Sequence, residues 1–351
     1  MAIAVHSLCF VTSSHFAGRL SRRLVGSGSS IVRDTCGVWA HVACRCRTDR
    51  HKSVTDSLPG VTDSLREGKN VRFPNPQRFR TGPFAAAGVP FSVETNREKF
   101  AAQVEDQFRD LKVPPCDVAE VAMFEVLHDD HPSDEHPWGV WLNSEPREST
   151  VSDDYVLAYL LWEVTQLLFE HSDDRLHLHG AAVALEGCAV VLAGHSHAGK
   201  STLAGWLTYR GWGFLTDEVA VIDPADLVVH PFWRPIGVRR PGPLDDELHF
   251  EAPDESELLV PASSIGCLAS ATPLKAIVFP EYAQGSDGSL QSISPAAGLA
   301  ELTSHFPALA ATGREGFRRL AAVARSTPTY KLTLDDLDDA ERQLRQLVVR
   351  Q

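Results

Sequence analysis

The sequence predicts an α/β fold built on a mixed sheet, and three observations carry that expectation. First, an apolar run, Ala189-Val190-Val191-Leu192-Ala193, enters the stretch Gly194-His195-Ser196-His197-Ala198-Gly199-Lys200-Ser201-Thr202, and Leu203-Ala204-Gly205-Trp206-Leu207 continues it as a helix. This is the order strand, glycine-rich loop, helix, with the spacing Gly-x-x-x-x-Gly-Lys-Ser of a P-loop. Second, the strand-like run His177 to Leu185 is separated from that entering strand only by Glu186-Gly187. A two-residue turn makes the two strands antiparallel neighbours, whereas a purely parallel sheet needs a crossover at that point. Third, strand-like runs at Trp212 to Leu215, Leu274 to Phe279 and Thr329 to Leu334 follow, set among helical segments.

Composition bounds the class. The chain has 351 residues, 43% apolar and 23% charged, and no apolar run of membrane-spanning length. Its net charge of −13 is uneven. Residues 1 to 80 carry 13 Lys/Arg against 5 Asp/Glu, while the remainder carries 20 against 41. An acidic folded part argues against nucleic acid and against an anionic membrane as partners, because phosphate neutralisation needs Lys and Arg. Four of the seven cysteines (Cys9, Cys36, Cys44 and Cys46) lie in the basic piece, and Cys116, Cys188 and Cys267 are scattered. That is no disulfide framework, and a reducing, cytoplasmic setting is expected. The sequence is compatible with a homo-oligomer.

Residues 1 to 80 show no sustained hydrophobic period, and Val54-Thr55-Asp56-Ser57-Leu58 recurs as Val61-Thr62-Asp63-Ser64-Leu65. A disordered basic leader without structural role is expected there, with read-through from a wrong start codon as one origin, and a targeting peptide or a binding arm as the other readings. Residues 84 to 150 suggest a small α+β region. Phe84 to Val93 reads as a strand, and Arg97 to Leu111 as an amphipathic helix stopped by Pro114-Pro115. Val118 to Leu127 and Trp138 to Leu142 read as strands around an acidic turn.

Residues 151 to 351 are expected to form the P-loop nucleotide-binding domain. Ser152 or Asp153 is expected to cap a helix running to about Phe169, apolar round much of its circumference and therefore packed inside. After the P-loop helix, which ends at Gly211, comes the strand Trp212 to Leu215 and then Thr216-Asp217-Glu218. Val219 to Asp223 and Leu227 to His230 form a hairpin, the proline-rich segment Pro231 to Pro241 follows, and Asp245 to Glu257 reads as an acidic loop.

The P-loop offers backbone N–H groups, a helix N-terminus and Lys200 to a polyphosphate, and Ser201 a hydroxyl to Mg²⁺. Gly194, His195, Ser196, His197, Ala198, Gly199, Lys200, Ser201 and Thr202 are therefore the candidate nucleotide-binding residues. Phosphoryl transfer also needs a group to orient or deprotonate the nucleophile and a carboxylate for the metal. Asp217 and Glu218, 17 and 18 residues after Lys200, fit one helix, a turn and a strand, whose carboxyl end in a parallel neighbour would lie beside the loop. By strand alternation one acid faces the phosphates and the other the periphery. Asp217 is favoured as base or metal ligand, and Ser201, Asp217 and Glu218 are the candidate metal ligands. His179 can reach the loop from the paired strand and hydrogen-bond a phosphate or tune the base. His177, His195, His197, Arg234, Arg239 and Arg240 are weaker candidates.

His179-Gly180-Ala181, the short turn, the loop Gly194 to Ser201, the helix ending in Arg210-Gly211, and Leu215-Thr216-Asp217-Glu218 together resemble the C-terminal catalytic domain of HPr kinase/phosphorylase and its relatives. The resemblance covers residues 175 to 240, and Pro328-Thr329-Tyr330-Lys331-Leu332 looks like the closing strand. It implies a fold similar to the core of phosphoenolpyruvate carboxykinase, with ATP and Mg²⁺ as cofactors. It also implies transfer of the γ-phosphoryl group to a hydroxyl acceptor, a serine on a protein or peptide or a small molecule. By the same resemblance His179 stands near the γ-phosphate, Lys200 is the P-loop lysine, Ser201 a Mg²⁺ ligand and Asp217 the activating acid. Glu218 stands where those enzymes have Asp, His197 replaces a loop glycine, and their second signature, Glu-x-Arg-Gly-x-Gly, is represented only by Pro235-Ile236-Gly237-Val238-Arg239 near its place. A non-catalytic ATP-binding regulatory protein of the same fold is the other reading these departures leave.

Overall fold

The computed structural model describes residues 77–114, 122–130, 137–153, 155–172, 174–195, 198–239, 242–249 and 257–349. The expected leader up to residue 76, the loop positions Ser196 and His197, Arg240, Cys116 and most of the acidic turn before Trp138 lie outside the described residues.

The fold is mixed α/β. A five-stranded sheet comes first in the chain, formed by β1 (Phe79–Ala86), β2 (Val89–Thr95), β3 (Ala122–His128), β4 (Trp138–Leu142) and β5 (Glu145–Val151), in that spatial order. The single strand expected over Phe84 to Val93 is in fact a hairpin. Ala87 and Gly88 take φ of 47° and 92° and reverse the chain, the left-handed pair that a tight two-residue hairpin needs. The amphipathic helix α1 (Glu98–Gln107) ends in a 3₁₀ turn at Arg109–Leu111, slightly short of the expected span. Phe84, Phe91, Phe108 and Phe124 form its junction with the sheet, with Phe84 and Phe91 ring centroids 5.4 Å apart and Phe91 and Phe124 6.0 Å. Each ring buried here contributes about 1.5–3 kcal/mol.

Helix α2 (Val156–His171) buries Val156, Leu160, Val164 and Leu167 in the same cluster, which also takes in Val219, Val221 and Phe232 from further along the chain. Neither Ser152 nor Asp153 caps it. Tyr155 holds the N-cap position without a side-chain bond, and the Asp153 carboxylate instead accepts from Trp138 Nε1 at 2.7 Å. A buried indole N–H demands a partner, and that demand outweighs one exposed helix cap.

The large sheet holds the loop. β6 (Leu176–Leu185) and β7 (Cys188–Ala193) are antiparallel across Glu186-Gly187, both with positive φ, as the short turn requires. β13 (Thr272–Tyr282) lies parallel to β7 on its other side, followed by β15 (Thr329–Leu334), parallel to β13, and β14 (Ser289–Ile293), antiparallel to β15. β8 (Gly213–Thr216) and β9 (Val219–Ile222) both run antiparallel to β6, one after the other along the same edge, and β10 (Val228–His230) pairs with β9. The strand carrying the acids is therefore not the direct neighbour of β7, because β6 lies between them; it shares the direction of β7, and its carboxyl end still reaches the same end of the sheet.

Helix α3 (Lys200–Tyr209) packs Leu203, Ala204 and Leu207 on one face of this sheet, together with Leu344 of α7 (Leu337–Val349). On the other face lie α5 (Pro295–Ser304) and the helical run α6 (Leu309–Ser326), broken at Gly313, which contribute Leu302, Leu320 and Val323. Inside the proline-rich segment β11 (Ile236–Arg239) pairs with β12 (Glu257–Val260), and the expected acidic loop opens with a short helix, α4 (Pro243–Leu248). Pro243 at its first turn and Asp245 and Asp246 beside it suit a helix start, where acids meet free N–H groups. Among the described residues no helix is long and apolar enough to cross a membrane.

Candidate functional site

The loop between β7 and α3 owes its shape to Gly199, whose φ of 86° places it in the left-handed region at the helix N-cap. A side chain there would be strained, and glycine turns the chain at no steric cost. No side chain caps α3, which leaves its first N–H groups turned toward the loop, as an anion site requires. The His195 carbonyl closes the turn, accepting from Ala198 N at 3.2 Å and from Lys200 Nζ at 2.8 Å. Lys200 is buried; burial lowers its pKa, and Glu218 and Asp217 pull it back up. Desolvation strengthens the pull of this ammonium on an anion, while the two carboxylates beside it call for a cation wherever phosphates bind.

Asp217 and Glu218 occupy a bend between β8 and β9, opposite Ala181 and Gly180 of β6, with Gly180 N donating to Glu218 O at 3.0 Å. Because neither residue is in a regular strand, alternation does not separate them. Both carboxyl groups lie within electrostatic reach of Lys200 and of Arg234. Their environments nevertheless differ. Asp217 is buried, and burial raises its pKa against the opposing effects of Arg234, the neighbouring Ser201 hydroxyl and the Gly237 amide, which donates to Oδ2 at 3.3 Å. Its Oδ1 has no hydrogen-bond partner among the described residues. For Glu218 burial acts in the same direction, but His179, Arg234 and Lys200 outweigh it and hold the pKa at about 2. The Glu218 carboxylate lies 3.4 Å from His179 Nδ1 and 3.7 Å from the Arg234 guanidinium. Two adjacent acids pushed apart in this way divide the work: one stays ionised, and the other is poised to take a proton.

Mg²⁺ fits this donor set. It favours hard oxygens, needs only one or two carboxylates beside phosphate and water, and keeps an octahedral shell. The Ser201 hydroxyl and the buried Asp217 carboxyl provide such oxygens, with Glu218 close by. Among the described residues no three His, Cys, Asp or Glu side chains are arranged to hold a metal by themselves.

Of the other candidates, Arg234 joins the site, whereas Arg239 lies at the far end of β11. His177 is structural: buried, it pairs with Ser172 Oγ through Nε2 at 2.8 Å and packs edge-on against Phe169, and burial pushes its pKa down to about 4. Two participants were given no role of their own in the sequence reading. Gly237, which steadies Asp217, belongs to a strand hidden among prolines. His305, at the end of α5, meets the His195 ring edge-on with centroids 4.8 Å apart. It stands far from every motif, and only a count of histidines could have raised it. Beside the loop helix, Thr202, Gly237, Val238, Gly242, Pro243 and Leu244 with Arg239 line a hollow of about 200 Å³.

No family model and no curated protein matches the sequence. Among solved structures, the Hpr(Ser) kinase/phosphatase from Coxiella burnetii is similar to this chain at 12% identity, with a TM-score of 0.27, over 49% of this chain and 93% of that one. This is a distant likeness of fold.

Proposed function

We propose that the protein is an ATP- and Mg²⁺-dependent kinase that moves the γ-phosphoryl group to a hydroxyl, a serine on a protein or peptide or a small serine-like molecule. The observation that carries the reading is the buried Asp217 carboxyl. It has a raised pKa and one unpartnered oxygen, and it lies beside Ser201 at the start of α3 and near Lys200.

Lys200 and the N–H groups of the loop and of the first turn of α3 bind the phosphates and offset the charge that develops during transfer. Ser201 and Asp217, with Glu218, would hold Mg²⁺, which supplies further charge neutralisation when bound with the nucleotide. Asp217 accepts the proton of the attacking hydroxyl at Oδ1, and a pKa raised by burial suits it to that task. Glu218 remains ionised and orients His179 toward the site, while Arg234 balances the charge of the two acids. The hollow bordered by Thr202 and Gly237 lies beside the loop helix, and the Gly237 amide links its wall to Asp217.

Calorimetric titration with ATP, with and without Mg²⁺, tests the binding half of this reading. Saturable binding that strengthens with Mg²⁺ and weakens about a hundredfold in Lys200→Ala is expected. Absent binding, or binding indifferent to Lys200, contradicts it.

A further inference from the structure

The β6–β7 ladder stops at Gly180 opposite Ala193, where β7 turns into the loop, so the next amide of β6, that of His179, is left without a strand on that side. The carbonyl of His305 takes its place, accepting from His179 N at 2.8 Å. Backbone donors inside a fold require such a partner, and here it comes from the residue that closes α5, more than a hundred positions beyond the loop. The same residue sends its ring the other way. It is buried, 3% exposed, and meets the exposed His195 edge to face, with the Phe279 ring 6.2 Å away. Lys200 is anchored to the carbonyl of that same His195. One residue thus touches both histidines that flank the loop, one through its backbone and one through its side chain.

We propose that His305 is a positioning residue of the phosphate site, fixing His179 through its carbonyl and His195 through its ring so that both imidazoles face the terminal phosphate of a nucleoside triphosphate. The inference rests on the nucleotide-binding reading above. The acids, His179 and Lys200 mark the end of the loop at which the transferred group sits, and that is the end His305 braces. Its ring is suited to packing rather than to carrying charge. Burial, and the facing His195, His179 and Lys200, push its pKa down to about 4, with Glu301 opposing, so the ring stays neutral beside them.

The test compares the affinities of ATP and ADP, each with Mg²⁺, for the full chain and its variants. Wild type is expected to prefer ATP. In His305→Ala the backbone carbonyl remains and the ring is lost, and the ATP-to-ADP affinity ratio falls about tenfold, since small misplacements of positioning groups carry penalties of that order. His305→Phe keeps an aromatic brace and restores the ratio to within about twofold. His195→Ala removes the other ring from an exposed position, so the fold tolerates it, and lowers the ratio as His305→Ala does. An unchanged ratio in His305→Ala, or in His195→Ala should the former fail to fold, overturns the proposal, as does a parallel loss of both affinities. Wild type that binds neither nucleotide overturns the underlying reading as well, so the two failures are told apart by the wild-type titration alone.

Discussion

The imidazole of His179 lies 3.4 Å from the carboxylate of Glu218, across the bend where β8 gives way to β9. The carboxylate also meets Arg234, and together these groups keep it ionised down to about pH 2. Residues that act through one another are not additive. His179→Gln and Glu218→Gln should each lower kcat/KM for phosphoryl transfer by about tenfold to a hundredfold, and the double variant should lose little more than the worse single one. A double-mutant cycle on kcat/KM measures this, and multiplicative losses would mean that the two side chains act separately.

Burial of the Asp217 carboxyl costs stability. Its pKa is raised by burial, so the folded state favours the protonated acid, and ionisation destabilises the fold as pH rises from the ordinary carboxylate value of 3.8 through the raised one. Asp217→Asn should abolish transfer yet stabilise the protein by about 1–2 kcal/mol at neutral pH. The gain should vanish near pH 4 and below, where wild type is also neutral at this site. Urea midpoints of both proteins across that range give the comparison.

Gly180 stands where β6 passes closest to the start of the loop. A Cβ there would lie 2.5 Å from the Leu192 carbonyl oxygen and 3.2 Å from Ala193 Cα, both backbone atoms that cannot step aside. Gly180→Ala should destabilise the fold by about 2–3 kcal/mol through forced separation of β6 and β7. ATP affinity should fall with it, because the same displacement moves His179. Thermal melting and nucleotide titration read the two effects.

His177 sets a pH limit on the fold. Its folded pKa of about 4 lies below the ordinary 6.5, so the stability it supports is full above pH 6.5 and is lost as pH falls toward 4. The loss amounts to roughly 3 kcal/mol, from 1.36 kcal/mol for each pH unit between the two values. In His177→Gln that part of the acid destabilisation should disappear, visible as a smaller drop in urea midpoint between pH 7 and pH 4.5.

Much of the fold was legible because it is written in local signals. The Glu186-Gly187 turn makes β6 and β7 antiparallel, Gly199 and Lys200 mark the loop and its helix, and Trp138 to Leu142 shows as a strand by its apolar run. Four features were not legible, each for a physical reason. Ala87-Gly88 turns the chain inside an apolar run, so a hairpin reads as one strand. β11 is short and surrounded by prolines, and its partner β12 is distant in sequence, so neither pattern nor turn announces the pair. At the site, Asp217 and Glu218 escape alternation because the backbone bends between β8 and β9, and His305 arrives by tertiary packing alone. Local chemistry therefore reveals the loop, while the partners that tune it depend on long-range contacts.

The most direct test is phosphoryl transfer itself. The purified protein is incubated with γ-labelled ATP, Mg²⁺ and a heat-treated lysate, beside an Asp217→Asn control. Label appearing on a hydroxyl of one acceptor with wild type, and absent with Asp217→Asn, is the predicted result. Label that stays on ATP, or that transfers equally well with Asp217→Asn, would contradict the assignment of Asp217 and of the activity built on it.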